Sequence, residues 1–304
     1  MMSSILDTIS SPEDLKNLPF EELEPLCTEI RETLIQTTAK TGGHLASNLG
    51  TVELTVALHR IFDCPADQIV WDVGHQCYTH KLLTGRRERF STLRQEGGIS
   101  GFPKHNESEY DAFVAGHSST SISVASGLAR AKKLQGDQHH VIAVIGDGAF
   151  TSGLAYEGAN NAARFGDNLI VILNDNKMSI SKNVGAFSKY LSKIRSRPAY
   201  FRTKDTVESI FNRVPLVGKP LNRTIQKCKN TIKAVVYGSN WFEDMGFYYL
   251  GPIDGHNLET LCDVLERAKG LHRPVFLHVE TQKGKGYSYA EENPGEYHGT
   301  SGVD

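Results

Sequence analysis

The sequence holds no apolar run long enough to span a bilayer, and its amino terminus, MMSSILDTISSPEDLKNL, has no basic flank. That segment reads as neither a signal peptide nor a membrane span. An excess of one charge is missing too: 33 Lys and Arg stand against 35 Asp and Glu, a net of −2. Such a balance gives no support to a nucleic-acid or membrane partner. The five cysteines (Cys27, Cys64, Cys77, Cys228, Cys262) form no C-x-x-C pair. An odd, scattered set without metal spacing points to reduced thiols and a cytoplasmic location. His75 with Cys77 and His80, and His256 with Glu259, are loosely ligand-like but match no zinc motif. The segment after Gly148 lacks the G-K-[ST] ending of a P-loop. Internal repeats and low-complexity blocks are also absent, which excludes solenoid and linker-rich designs.

What is present centres on residues 141–181, VIAVIGDGAFTSGLAYEGANNAARFGDNLIVILNDNKMSIS. The β-branched run 141–145 predicts a buried parallel strand. Gly146-Asp147-Gly148 breaks it. A helix follows, with Thr151-Ser152 near its start and Leu154, Glu157 and Asn161 at helical spacing. The run 169–173 predicts a second buried strand, ending in Asn174-Asp175-Asn176. The whole is a βαβ unit with polar turns at the carboxyl ends of both strands, where open α/β sheets bind ligands. Gly146 and Gly148 let the backbone approach a phosphate, and helix-start amides point at an anion. Asp147 offers a carboxylate oxygen, and Asn174 and Asn176 offer amide oxygens. With a backbone carbonyl, phosphate oxygens and water, such a set suits Mg²⁺.

Elsewhere, Ser11-Pro12-Glu13-Asp14 predicts a helix start. Residues 20–41 predict a long amphipathic helix, 44–50 a loop bearing His44, and 51–61 a buried helix. A short strand at 69–72 leads to Gly74-His75-Gln76. A helix begins near His80, with Arg86 to Arg89 as its solvated face. The run Gly116-His117-Ser118-Ser119-Thr120-Ser121 opens a small-residue helix over 122–133, whose first-turn amides offer a second anion site. Residues 183–237, rich in Lys, Arg and Ser, read as a partly helical excursion from the sheet. Lys193, Arg195, Arg197, Arg202 and Lys204 form a basic run there, solvated by default. Strands at 247–250 and 274–279 flank a helix at 258–269, and the tail from 290 carries no further core. His44, His75, His117 and His256 gather at or near strand ends. Alternating strands and helices imply one α/β domain, doubly wound, with a mostly parallel sheet and helices on both faces.

GDG followed by an apolar strand and an Asn is the thiamine-diphosphate fingerprint of transketolase-like enzymes. With HLASNLGTVELTVALH, WDVGHQ, HKLLTGR, GGISGFPK, SEYDAFVAGHSSTSIS, ILNDNKMSISKNVGA, GPIDGHN and KGKGY, the chain resembles the 1-deoxy-D-xylulose-5-phosphate synthase family. The likeness runs from about residue 15 to residue 298 and covers the amino-terminal half of the family's pattern. It implies a thiamine-diphosphate-binding fold of the diphosphate-binding type over residues 1–298, with a linker beginning at 299–304. It also implies the cofactors thiamine diphosphate and Mg²⁺. Asp147 and Asn176 match metal ligands, with the carbonyl of Met178. Gly148 and Ala149 match diphosphate contacts. His75, the run Gly116-His117-Ser118 and Tyr287 match further cofactor contacts, and His44, like His75, matches a catalytic position. The implied reaction joins pyruvate to D-glyceraldehyde 3-phosphate with loss of CO₂. Its product, 1-deoxy-D-xylulose 5-phosphate, is a precursor of isoprenoids, thiamine and pyridoxal.

The family's pyrimidine-binding and carboxyl-terminal domains, including the glutamate that protonates the pyrimidine ring, have no counterpart in these residues. The isolated chain is therefore expected to be catalytically incompetent and to self-associate, or to pair with a polypeptide carrying the pyrimidine-binding domain. Three origins stay open: a subunit of a split enzyme, a shortened form of a full synthase, or a non-catalytic remnant. A split transketolase is a further alternative.

Overall fold

Five short apolar runs set the architecture. The computed structural model describes residues 4–178, 184–195 and 240–302. Its strands are β1 (Gln68–Trp71), β2 (Val141–Gly146), β3 (Leu169–Asp175), β4 (Tyr248–Asp254) and β5 (Val275–Glu280). They form one sheet in the order β1-β2-β3-β5-β4, and every neighbouring pair is parallel.

Alternation along each strand sends side chains to two separate cores. Ile142, Val144, Ile170, Ile172 and Leu277 face one side, packed by the helices Pro12–Asn17, Leu23–Thr41, Val52–Ile61 and Leu258–Gly270. Val141, Ala143, Ile145, Val171 and Phe276 face the other, packed by Ser121–Leu134, Gly153–Ala162 and Trp241–Asp244. Each fully buried aliphatic side chain contributes about 1.5–3 kcal/mol. The steps from β1 to β3 cross on the second face, and the step from β4 to β5 crosses on the first. The winding therefore reverses between β3 and β5, which opens a crevice at the carboxyl edge of the sheet. The expected doubly wound α/β fold is the observed one.

The helix start anticipated at Ser11 forms, and a second helix is capped by Asn257. The Ser11 amide donates to Asp14 Oδ2 at 2.8 Å, closing a capping box. Asn257 accepts the Thr260 amide at 2.8 Å. Several expectations need correction. The long helix begins at Leu23, after a 3₁₀ turn at Phe20–Glu22. The loop expected at 44–50 contains a short helix, Leu45–Leu49. Arg86 is not solvated: it is 3 % exposed and makes two bonds to Asp111, at 2.7 and 3.0 Å. Arg195 is not free surface either, because it pairs with the buried Asp175. The tail does add core: Ala290 is fully buried, and Tyr297 packs against the same cluster. Of the expected excursion, Ala186–Arg195 is a helix with Leu191 buried. Arg197, Arg202 and Lys204, with Ser181, lie outside the described residues. Among the described residues no helix is long and apolar enough to cross a membrane.

Candidate active site

The ends of β1, β2, β3 and β5, the segment at His44 and Ser47, and the tail build one cavity of about 370 Å³. β1 delivers Asp72, Val73 and His75. Gly74 between them takes φ +90, and a Cβ there would stand 2.5 Å from Pro103 Cδ, so only glycine lets the loop bearing Phe102 close over this end. Asp72 is 1 % exposed. Its carboxylate accepts the Ser119 amide at 2.7 Å and the Ser121 amide at 3.1 Å. The second anion site expected at that helix start is thereby narrowed: the Ser119 and Ser121 amides are bonded to Asp72. Ser119 Oγ in turn donates to the Ala149 carbonyl at 2.8 Å, tying this loop to the β2 turn.

β2 delivers Gly146, Asp147, Gly148 and Ala149, and β3 delivers Asn174, Asp175 and Asn176. The Asp147 amide donates to the Asn174 carbonyl at 3.1 Å, locking the two turns in register. Asn174 Oδ1 accepts the Thr281 hydroxyl at 2.5 Å, so that amide oxygen is engaged within the protein. Asn176 Oδ1 accepts the Met178 amide at 3.0 Å, and both residues line the cavity. Beneath them Asp175 is held by His278 Nε2 at 2.8 Å and by Arg195, and His278 Nδ1 meets Tyr249 OH at 2.9 Å. Burial would raise Asp175, but these partners hold it low. Burial first, and then the charge of Asp175, push Asp147 up.

A fully buried Asn48 joins the histidines. Its Nδ2 donates to the backbone carbonyls of His44 at 2.6 Å and His75 at 2.8 Å, and its Oδ1 accepts the Tyr78 amide at 2.8 Å. The two rings stand 5.2 Å apart. His298 closes a triangle at 5.6 Å from His44 and 5.5 Å from His75. It arrives there because Thr300 pairs with Gly43 through two backbone bonds of 2.9 and 2.8 Å. Its Nδ1 lies 3.2 Å from Ser47 Oγ. Burial, then the fields of His298, Arg94 and Lys283, push His44 down to about 4. Burial, then His44, His298 and Lys283, push His75 down to about 3. Lys283, only 5 % exposed, is lowered by burial to about 8, against the opposing pull of Asp147.

Of the residues singled out in the sequence, His44, His75, Ser118, Gly146, Asp147, Gly148, Ala149, Asn176 and Met178 line this cavity. Gly116, His117 and Tyr287 stand outside it. His117 is exposed, with its Nδ1 3.0 Å from the Ser118 carbonyl. Tyr287 packs on Tyr289 and Tyr297, 5.5 and 5.8 Å away. His256 sits at a strand end but binds Glu53 and the Gln282 amide instead. Sequence reading missed Lys283 and His298. Lys283 was within reach, since it follows the end of β5 closely; His298 carries no local signal.

The donor set can be weighed against a hard cation. Asp147, Asn176 and the Met178 carbonyl offer oxygen only, as Mg²⁺ prefers. Asp147 is 2 % exposed and driven towards its neutral form, a carboxylate placed where a cation would restore its charge. A Cβ on Gly146 would meet nothing within 4 Å, so the backbone there faces open cavity, room for a phosphate. The residues present fit a metal-bound diphosphate.

Comparison with known proteins places this chain in a family. The model of the 1-deoxy-D-xylulose-5-phosphate synthase family matches residues 6–281. The chain is 56 % identical over 303 residues to the 1-deoxy-D-xylulose-5-phosphate synthase of Syntrophomonas wolfei, covering all of this chain and 48 % of that protein. It is 55 % identical over 297 residues to that of Clostridium acetobutylicum, covering 98 % of this chain and 48 % of that one. The chain thus spans about half the length of the curated relatives it matches. Among solved structures, transketolase from Campylobacter jejuni superimposes with a TM-score of 0.65 at 21 % identity, over 93 % of this chain and 41 % of that one. Transketolase from Leishmania mexicana gives 0.62 at 19 %, over 96 % and 39 %. Those two likenesses concern the fold.

Proposed function

The chain belongs to the 1-deoxy-D-xylulose-5-phosphate synthase family, and from that premise we propose that its cavity is the diphosphate and Mg²⁺ half of a thiamine-diphosphate site. The reaction it serves is the condensation of pyruvate with D-glyceraldehyde 3-phosphate, giving 1-deoxy-D-xylulose 5-phosphate and CO₂. The pyrimidine half is supplied by residues corresponding to the remainder of the longer relatives. Cytoplasmic location accords with Cys27, Cys64, Cys77 and Cys262 being free thiols.

Thiamine diphosphate, when bound, supplies the electron sink for losing CO₂ and joining the two carbon fragments. This chain's residues bind, orient and move protons. Asp147, Asn176 and the Met178 carbonyl hold the metal. The backbone at Gly146, Gly148 and Ala149 approaches the diphosphate, and the Lys283 ammonium adds positive charge beside it. His44 and His75 are pushed below their ordinary range, so both rings are neutral at pH 7 and able to accept a proton. Their Nδ1 atoms are buried and carry no hydrogen-bond partner among the described residues, which leaves them for a ligand or substrate. His298 stands beside them as a third ring, its Nδ1 engaged with Ser47 Oγ.

The observation that carries this reading is the buried Asp147 on its Gly-flanked turn, beside Asn176 and Met178 and in one cavity with the histidine triangle. Calorimetric titration of the chain with thiamine diphosphate and Mg²⁺ tests it, with Asp147→Ala as control. Metal-dependent binding lost in the control supports the reading. Metal-independent binding, or equal binding by the control, sinks it.

A further inference from the structure

Behind the cavity lies a chain of polar contacts that the proposed chemistry does not use. His256 follows β4, yet its ring turns away from the cavity. Its Nε2 accepts the Gln282 backbone N–H at 2.7 Å, and its Nδ1 lies 3.0 Å from Glu53 Oε2. A ring nitrogen that accepts carries no proton. The proton therefore sits on Nδ1 and points at Glu53, which sets the tautomer.

Glu53 projects from the buried helix Val52–Ile61 and is 7 % exposed. Its second oxygen accepts Arg31 Nη2 at 2.5 Å, and Arg31 Nε donates to the Lys285 carbonyl at 3.0 Å. Burial alone would raise the Glu53 carboxyl, but the bonds from His256 and Arg31 outweigh it and hold it below its ordinary value. The Gly284 amide donates to the Ala46 carbonyl at 2.9 Å. Gln282 is thus tied to the turn after β4, Gly284 to the helix Leu45–Leu49 and Lys285 to the helix Leu23–Thr41. Between them stands Lys283, whose side chain turns the other way and lines the cavity with Asp147 and His298.

A lysine stem has four rotatable carbons, so its ammonium is placed only as well as its backbone and walls are fixed. Gly284 and Gly286 both take φ +83, so the segment is not held by regular secondary structure. It is held by Arg31 from Leu23–Thr41 and His256 from the β4 turn, both bonded in turn to Glu53, and by the Ala46 carbonyl. We propose that Glu53 and His256 are positioning residues: through the Gln282 amide they fix the backbone from which Lys283 reaches the diphosphate cradle. The clamp is geometric; its ligand rests on the thiamine-diphosphate reading above.

Two isosteric variants isolate the bond. In His256→Gln an amide oxygen stands where Nε2 was; in His256→Asn the amide reaches only as far as Nδ1 and keeps the Glu53 contact. Hydrogen exchange of the ligand-free chain is measured over the segment containing Gln282. His256→Asn should speed exchange there about tenfold, the share of one hydrogen bond, with the rest of the protein unchanged. His256→Gln should stay near wild type. A clamp of no importance, or one that matters only as bulk, gives equal exchange in both variants and overturns the proposal. Calorimetry with thiamine diphosphate and Mg²⁺ then closes a cycle with Lys283→Ala. His256→Asn should weaken binding about tenfold in the wild-type background and little in Lys283→Ala. Equal weakening in both backgrounds means that His256 does not act through Lys283. Failure of the wild type to bind removes the thiamine-diphosphate reading, while the exchange result still decides the clamp.

Discussion

The rings of His44 and His298 meet edge to face with their centroids 5.6 Å apart. Two charges cannot share that space cheaply, and burial makes each one costlier. His44 is accordingly pushed from 6.5 down to about 4, first by burial and then by His298. The pair is built to stay neutral where an ordinary histidine would begin to charge.

Acid should therefore loosen the site before the rest of the chain. A histidine whose folded value lies below its unfolded value stabilises the fold above about pH 6.5. That contribution is lost as pH falls through 6.5 towards the folded value. His44 and His75 together should cost on the order of 1 kcal/mol each by pH 5, after allowance for solvent screening. Asp147 works in the opposite sense over the same range, so the comparison belongs in an Asp147→Asn background. Urea midpoints at pH 7 and pH 5 measure the loss. His298→Asn should shrink it, and an unchanged loss would mean that the ring triangle is not the cause.

Asp72 predicts a different kind of failure. Its two carboxylate oxygens take the Ser119 and Ser121 amides in a buried setting. Asp72→Asn keeps one acceptor and turns a donor towards the other amide. Leaving a buried N–H unpaired costs about 1–3 kcal/mol. The urea midpoint should fall accordingly, and thiamine-diphosphate affinity with it, because Ser118 and Ala149 are tied to the same loop. A stable variant with weakened binding, or the reverse, would separate the two roles assigned to this residue.

The turns at β2 and β3 were legible because each is punctuated by Gly, Asp or Asn directly after an unbroken apolar run rich in β-branched residues, a local pattern that tertiary context does not overturn here. Other features depend on contacts distant in sequence. Arg86 sits in a run of charges that reads as solvated, and only the fold reveals Asp111 beside it. The amides at the start of Ser121–Leu134 read as an anion site until Asp72 is seen to occupy two of them. His298 belongs to a polar tail with no periodicity, and only the pairing of Thr300 with Gly43 brings it home. Local rules thus located the two polar turns that line the cavity, while the charge partners and the third histidine required the three-dimensional arrangement.

The buried pair behind that misreading should dominate stability on the β1 side. Asp111 is 2 % exposed, accepts from Arg86 and from the Lys104 amide at 2.7 Å, and lies 3.0 Å from His80 Nε2. Arg86→Met strands most of a buried carboxylate and should cost about 3–5 kcal/mol. Arg86→Lys keeps the charge but cannot make two parallel bonds, and should recover only part of this. Thermal denaturation of the three proteins orders them; a lysine variant as stable as wild type would show that charge alone, not the fork geometry, holds the loop.

Asp147 should trade stability for ligand. In the metal-free chain, burial and Asp175 push it from 3.8 up to about 8. A carboxyl with a raised folded value stabilises the fold at low pH, and that contribution is lost as pH rises through the folded value. Above pH 7 the ionised Asp147 is therefore a burden that Mg²⁺ relieves. Asp147→Asn removes the charge while keeping the shape, so the metal-free variant should exceed wild type in stability at pH 8 by on the order of 1–2 kcal/mol, with the gap closing near pH 4. With thiamine diphosphate and Mg²⁺ at about a hundred times the dissociation constant, wild type should gain about 2.7 kcal/mol and the variant almost nothing. The order of the two melting temperatures should thus reverse on adding ligand. If wild type is already the more stable protein without metal at pH 8, then Asp147 is satisfied by the protein alone, and the cation site at this turn loses its physical basis.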